Sequence, residues 1–129
     1  TAIDTLNILE SLASEQNLIS WADINTQYGH LAYAQARFEE ASDFFRTAAV
    51  QHEDRSRYVQ QARALTNAAS ALLHLGHREE ARSLLHQSMK IQSVLGDVVG
   101  LQATQANIKH MEKIDPEGSS TLDENDLEQ

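Results

Sequence analysis

Two segments decide the fold: Phe38-Glu39-Glu40-Ala41 and Arg78-Glu79-Glu80-Ala81, which repeat one pattern 40 residues apart. Each is followed by two large apolar residues and then by a small one: Phe44-Phe45 with Ala48, and Leu84-Leu85 with Ser88. The same offset of 40 residues separates three polar residues elsewhere in the chain: Gln27, Asn67 and Asn107. A fixed period of this length is typical of a solenoid, in which each unit packs against its neighbours.

The composition favours helices along the whole repeat. The 129 residues include one Pro and five Gly, and the commonest residue types, Ala, Leu, Gln and Glu, are good helix formers. Apolar residues recur at helical spacing in six stretches. We therefore expect an all-α chain with a half-unit over 1–19, helical hairpins over 20–56 and 57–96, and a final helix over 97–113.

Polar residues mark the expected helix starts. Ser20 and Asp23 have the spacing of a capping box at the start of the second helix. Either Asp54 or Ser56 is suited to cap the fourth helix, and Asp97 the sixth. The connections are expected to alternate between two-residue turns, as at 36–37 and 76–77, and longer polar loops, as at 52–56.

The charge of the chain is unevenly distributed. The net charge is −9, and six acids and no base fall in the last residues: Asp115, Glu117, Asp123, Glu124, Asp126 and Glu128. This composition predicts a disordered acidic tail over 114–129. An acidic chain is not expected to bind nucleic acid, since readers of the phosphate backbone are normally basic.

The sequence lacks the motifs that would indicate a membrane protein or an enzyme. No apolar run approaches the roughly 20 residues of a membrane span, so we expect no membrane span and a cytoplasmic protein. There is no cysteine, no glycine-rich phosphate loop and no nucleophile elbow. We expect no enzyme activity and no cofactor, and we interpret the six histidines as groove-lining or exposed groups rather than zinc ligands.

The repeated pattern resembles the tetratricopeptide repeat, in its longer-period branch, over about 2–113. The resemblance rests on small residues, an aromatic, an acid and a large apolar residue at matching places: Gly29, Ala36, Phe38, Glu40, Ala41, Phe45 and Ala48, then Ala69, Gly76, Arg78, Glu80, Ala81, Leu85 and Ser88. Short side chains let helices approach closely, and Ala41, Ala48 and Ala81 are the expected contact points. The resemblance implies a right-handed superhelix of antiparallel helical hairpins.

The resemblance also implies a concave groove lined by the first helix of each hairpin. Carried over residue by residue, the groove positions are Asp23, Gln27, His30, Tyr33, Arg63, Asn67, Ser70, His74, Asn107, His110 and Lys113. The implied function is protein–protein interaction, as an adaptor or scaffold with a peptide or helical segment bound in this groove. The alternative is a regulatory or oligomerisation module of a larger enzyme or transcription regulator, and self-association through exposed terminal repeats is a further expectation.

Overall fold

The computed structural model describes residues 2–16 and 20–114 of the chain. These residues form six helices: α1 (Ala2–Gln16), α2 (Trp21–Ala34), α3 (Phe38–Asp54), α4 (Tyr58–His74), α5 (Arg78–Leu95) and α6 (Val98–Ile114). The predicted all-α class is confirmed, since the described part of the chain holds no strand. The predicted acidic tail, apart from its first residue in α6, lies outside the described residues.

Two of the predicted helix starts are confirmed. The Ser20 hydroxyl oxygen accepts from the Asp23 backbone N–H at 3.1 Å, and the Asp23 carboxylate accepts from the Ser20 hydroxyl at 2.9 Å. At the start of α6 the backbone N–H of Gly100 donates to Asp97 Oδ1 at 3.1 Å. Both carboxylates lie in or before the first turn, where the helix dipole stabilises negative charge.

The predicted cap of α4 is wrong. Arg57 occupies the N-cap position and makes no side-chain hydrogen bond to the helix end. Asp54 is instead the last residue of α3, and Ser56 has a left-handed backbone with φ 58°. The polar stretch at 52–56 therefore ends one helix rather than starting the next.

The predicted alternation of short turns and longer loops is also wrong. Each described connection between α2 and α6 has two or three residues. A left-handed residue recurs at intervals of 20 positions, at Ala36, Ser56, Gly76 and Gly96. The next residue donates its N–H to the carbonyl oxygen five positions earlier: Arg37 to Ala32 at 2.9 Å, Arg57 to His52 at 2.8 Å, His77 to Leu72 at 2.9 Å and Asp97 to Gln92 at 2.9 Å. The helices α2, α3, α4 and α5 thus end in the same Schellman-type turn.

Small residues lie where the helices meet. Ala41, Ala48 and Ala81 have no exposed surface, as expected of close contact points. Gly29 faces the Phe45 ring so closely that an added Cβ would lie 2.7 Å from a ring carbon. Consecutive helices pack against each other along the chain, and α4 also contacts α6. This arrangement fixes the relative positions of α2, α4 and α6, which carry the predicted groove residues.

Candidate binding groove

Side chains of α2, α4 and α6 line a series of adjoining cavities. Because the turns are short, consecutive helices run antiparallel, so these three helices point in the same direction. Neighbouring cavities share lining residues: Asp23 and Asn107 each belong to two of them, and His30 and Asn67 each to three. The cavities therefore form one continuous depression, which we call the groove.

The largest cavity, of about 700 Å³, opens between α1 and α2. Its walls are mainly apolar, with Leu6, Leu9, Ile24 and Leu31 among the lining residues. Asp23 and His30 lie where this cavity adjoins the rest of the groove, and Gln27 is a further polar lining residue. This end of the groove is suited to an apolar side chain, because most of the surface that it offers cannot form hydrogen bonds.

Asp23 and His52 lie at the next cavity, of about 220 Å³. Arg57 Nη1 lies 3.2 Å from Asp23 Oδ2. Burial opposes ionisation of Asp23, but the hydrogen bonds from Ser20 and Arg57 and the charge of Arg57 outweigh it, so the pKa of this carboxyl lies below its usual value. His52 is 3% exposed. Burial is the main cause that lowers the pKa of its imidazole, and Asp23 opposes this effect.

Arg63 and Asn67 lie one helical turn apart on α4, at the centre of the groove. They line the cavity of about 320 Å³ between α4 and α6, and Asn107 lines the same cavity from α6. Arg63 Nη2 is 3.8 Å from Asp97 Oδ2, which is too long for a hydrogen bond. Within the described residues neither the side chain of Asn67 nor that of Asn107 makes a hydrogen bond, so both carboxamides are open to a ligand.

A buried polar network that the sequence reasoning missed lies beneath this cavity. Thr104 donates its hydroxyl proton to Gln92 Oε1 at 2.7 Å, and Ser88 donates to the Ala62 carbonyl at 2.7 Å. Thr66 Oγ1 lies 2.7 Å from Ser88 Oγ and 3.1 Å from Thr104 Oγ1. Ser88 and Thr104 already donate their hydroxyl protons to other acceptors. Thr66 is therefore the donor to one of these two hydroxyl oxygens. The network joins α4, α5 and α6 and fixes the floor of the groove.

Aromatic side chains form the opposite end of the groove. Tyr33 Oη and His74 Nε2 are 3.0 Å apart, and the Phe38 and His74 rings stack with centroids separated by 4.1 Å. Tyr33 meets the Phe38 ring edge to face. These contacts hold His74 in one orientation at a cavity of about 140 Å³, which Ser70 and His110 also line.

The structure brings most of the predicted groove residues together. The residues that line the adjoining cavities are Asp23, Gln27, His30, Tyr33, Arg63, Asn67, Ser70, His74, Asn107 and His110. Lys113 is exposed near the end of α6 and lines none of these cavities. The groove is also lined by residues that the sequence reasoning did not place there: His52 of α3, Gln92 of α5 and Val99 of α6.

Over residues 2–16 and 20–114, no three His, Cys, Asp or Glu side chains lie together as a metal site would require. None of the helices described is both long enough and apolar enough to span a bilayer. Comparisons with protein-family models, with curated proteins and with solved structures gave no match.

Proposed function

We propose that the chain is a tetratricopeptide-like solenoid that binds a segment of a partner protein in the groove. Three features support the architecture. Equivalent turns recur every 20 residues at Ala36, Ser56, Gly76 and Gly96. Consecutive helices pack pairwise, and α4 contacts α6. In the proposed form, the helical hairpins stack into a right-handed superhelix with α2, α4 and α6 on its concave side.

The observation that carries the binding proposal is the pair of unengaged carboxamides, Asn67 and Asn107. In helices the backbone N–H and C=O groups are already paired, so a ligand in the groove must be recognised by side chains. A carboxamide both donates and accepts, which matches the peptide group of an extended segment. By contrast, Asn25 is engaged within the chain and donates to Gln51 Oε1 at 2.8 Å.

Affinity capture with groove variants tests this function. Asn67→Ala and Asn107→Ala remove the open carboxamides but bury no new surface, so both variants should fold. We expect any protein captured by the wild-type chain to be lost with both variants. Gln105→Ala is the matched control, because Gln105 is an exposed amide of α6 that lines none of the groove cavities. Equal capture by all four proteins would refute binding in the groove.

A second candidate function, assembly with a flanking domain or a second copy, is favoured by a different surface. Large apolar side chains outside the groove are exposed at one end of the helices: Trp21, Tyr58, Val94 and Val98. Val94 and Val98 are 81% and 62% exposed, and exposed apolar patches often mark interfaces. Sedimentation of the wild-type chain and a Val94→Glu, Val98→Glu variant tests this candidate. A concentration-dependent mass that the variant abolishes would support it, and a monomer at all concentrations would exclude self-assembly.

A further inference from the structure

A buried histidine reaches the groove from α3, which is not one of the three helices that form its main walls. His52 lies in the last turn of that helix, and only 3% of its surface is exposed. It lines the cavity of about 220 Å³ together with residues of α2 and α4. Polar side chains buried to this degree are normally hydrogen-bonded within the protein, so a partner for this imidazole is expected.

The His52 imidazole has no such partner. Nδ1 is enclosed by protein atoms and makes no hydrogen bond, whereas Nε2 is not enclosed. Within residues 2–16 and 20–114 no group hydrogen-bonds to either ring nitrogen. Since the ring borders the cavity, Nε2 is the polar atom that it can offer to a ligand. Burial lowers the pKa of His52 below its ordinary 6.5, so the ring is neutral at pH 7.

The other residues at this cavity restrict what can enter it. Asp23 and Arg63 both line it, so an acidic group and a basic group would each meet a like charge. Thr26 also lines it and donates its hydroxyl proton to the Ala22 carbonyl at 2.8 Å, so the Thr26 hydroxyl oxygen can only accept. A neutral imidazole beside an accepting oxygen suits a small, uncharged group that can both donate and accept.

We propose that the partner segment places a hydroxyl group, from a serine or threonine side chain, against His52 Nε2 in this cavity. This inference rests on the proposed function and adds one chemical feature of its ligand. A hydroxyl has one donor proton and two acceptor lone pairs, so it can pair with Nε2 whether that nitrogen carries the ring proton or a lone pair. Where Nε2 donates, the proton of the ligand hydroxyl remains for the Thr26 oxygen.

Peptides selected from a random display library against the full chain are the probe. We expect the selected peptides to share a serine or threonine at one position. Replacing a threonine at that position by valine, which has nearly the same shape, should weaken binding to the wild-type chain by about threefold to tenfold in calorimetric titration. Against His52→Phe, which keeps a ring but has no ring nitrogen, the threonine and valine peptides should bind equally.

His86→Phe is the matched control, because His86 is exposed on α5 and lines none of the groove cavities. It should preserve the difference between the threonine and valine peptides. His52→Phe removes an unpartnered polar group from a buried position, so we expect it to fold, and urea unfolding checks this. A second measurement needs no variant: the ¹⁵N NMR signal of His52 Nε2 in the wild-type chain should shift more with the threonine peptide than with the valine peptide.

The outcomes separate this inference from the proposed function. Binders that need Asn67 but bind as well with valine or asparagine in place of the hydroxyl residue would overturn the hydroxyl inference and leave groove binding intact. A threonine preference that persists in His52→Phe, or an Nε2 signal that shifts equally with both peptides, would show that the hydroxyl does not contact this ring. An absence of any selected binder would count against both proposals.

Discussion

Replacing Thr104 by Val should destabilise the fold by leaving one buried carbonyl without a donor. Val has nearly the shape of Thr, so the main loss is the hydroxyl, which donates to Gln92 Oε1 at 2.7 Å. Gln92 is 1% exposed and Thr104 is fully buried, and water cannot easily replace the bond. An unsatisfied buried acceptor costs about 1–3 kcal/mol, and we expect the free energy of unfolding to fall by that amount.

Thr66→Val is the matched control within the same network. When the Thr66 hydroxyl is removed, Thr104 still donates to Gln92 and Ser88 still donates to the Ala62 carbonyl. No proton donor or carbonyl oxygen of the network is then orphaned, so the loss should be that of one neutral hydrogen bond, about 0.5–1.5 kcal/mol. The network therefore predicts a larger loss at Thr104 than at Thr66.

Urea unfolding followed by far-UV circular dichroism measures both losses. A third variant, Thr104→Val combined with Gln92→Met, removes the orphaned carbonyl along with its donor. This double variant should recover most of the stability lost in Thr104→Val, because replacing both partners by apolar groups is nearly neutral. A loss at Thr66 that equals or exceeds the loss at Thr104, or a double variant no more stable than Thr104→Val, would refute the proposed direction of the hydrogen bonds.

Three other predictions concern packing, pH and charge. Ala41→Leu and Ala81→Leu should each lower the free energy of unfolding by about 1–3 kcal/mol, because neither alanine has exposed surface; unchanged urea midpoints would contradict this. Burial lowers the pKa of His52 from its ordinary 6.5, so the folded state binds fewer protons than the unfolded state below that pH, and stability should fall as the pH drops through this range. His52→Gln should weaken that dependence in pH-dependent thermal melts, whereas His86→Gln, at an exposed position, should preserve it. Deleting 115–129 removes six acids that we expect to compete for the groove, and should tighten the binding of a groove peptide in calorimetric titration; unchanged or weaker binding would show that this segment does not compete.

The helix content and most of the helix bounds could be predicted from the sequence, because they follow from local patterns. The capping residues Ser20 and Asp97 and the glycine at Gly76 each act within a few positions of themselves. The uniform turns could not be predicted as readily. Ala36 and Ser56 have φ values of 61° and 58°. Neither residue type favours a left-handed backbone as glycine does, so neither predicts the turn.

The groove was predicted in part for a similar reason. The groove positions came from the resemblance, together with the spacing that puts residues on one helix face, and Asn67 and Asn107 both line a cavity. Whether a polar side chain is already paired within the protein depends on residues of other helices, and the pattern of its own helix does not predict this. Arg57 neutralises Asp23 across 34 positions, and Thr66 reaches Thr104 across 38. Polar residues at core positions of the helical pattern, such as Thr104 and Gln92, were the available signal for the buried network.

The uniform turns between α2 and α6 limit how the length of this chain can change. Since the turns at Ala36, Ser56, Gly76 and Gly96 are 20 residues apart, a duplication of one helix–turn segment between them would preserve the local geometry at both junctions. It would nevertheless exchange the roles of all later helices, because α2, α4 and α6, which provide most of the groove lining, alternate with the other helices. Only duplications or losses of even multiples of that segment keep Asn67 and Asn107 on one side. Natural or engineered variants of this chain should therefore tolerate changes of 40 residues at these turns far better than changes of 20, although both leave the turns themselves intact.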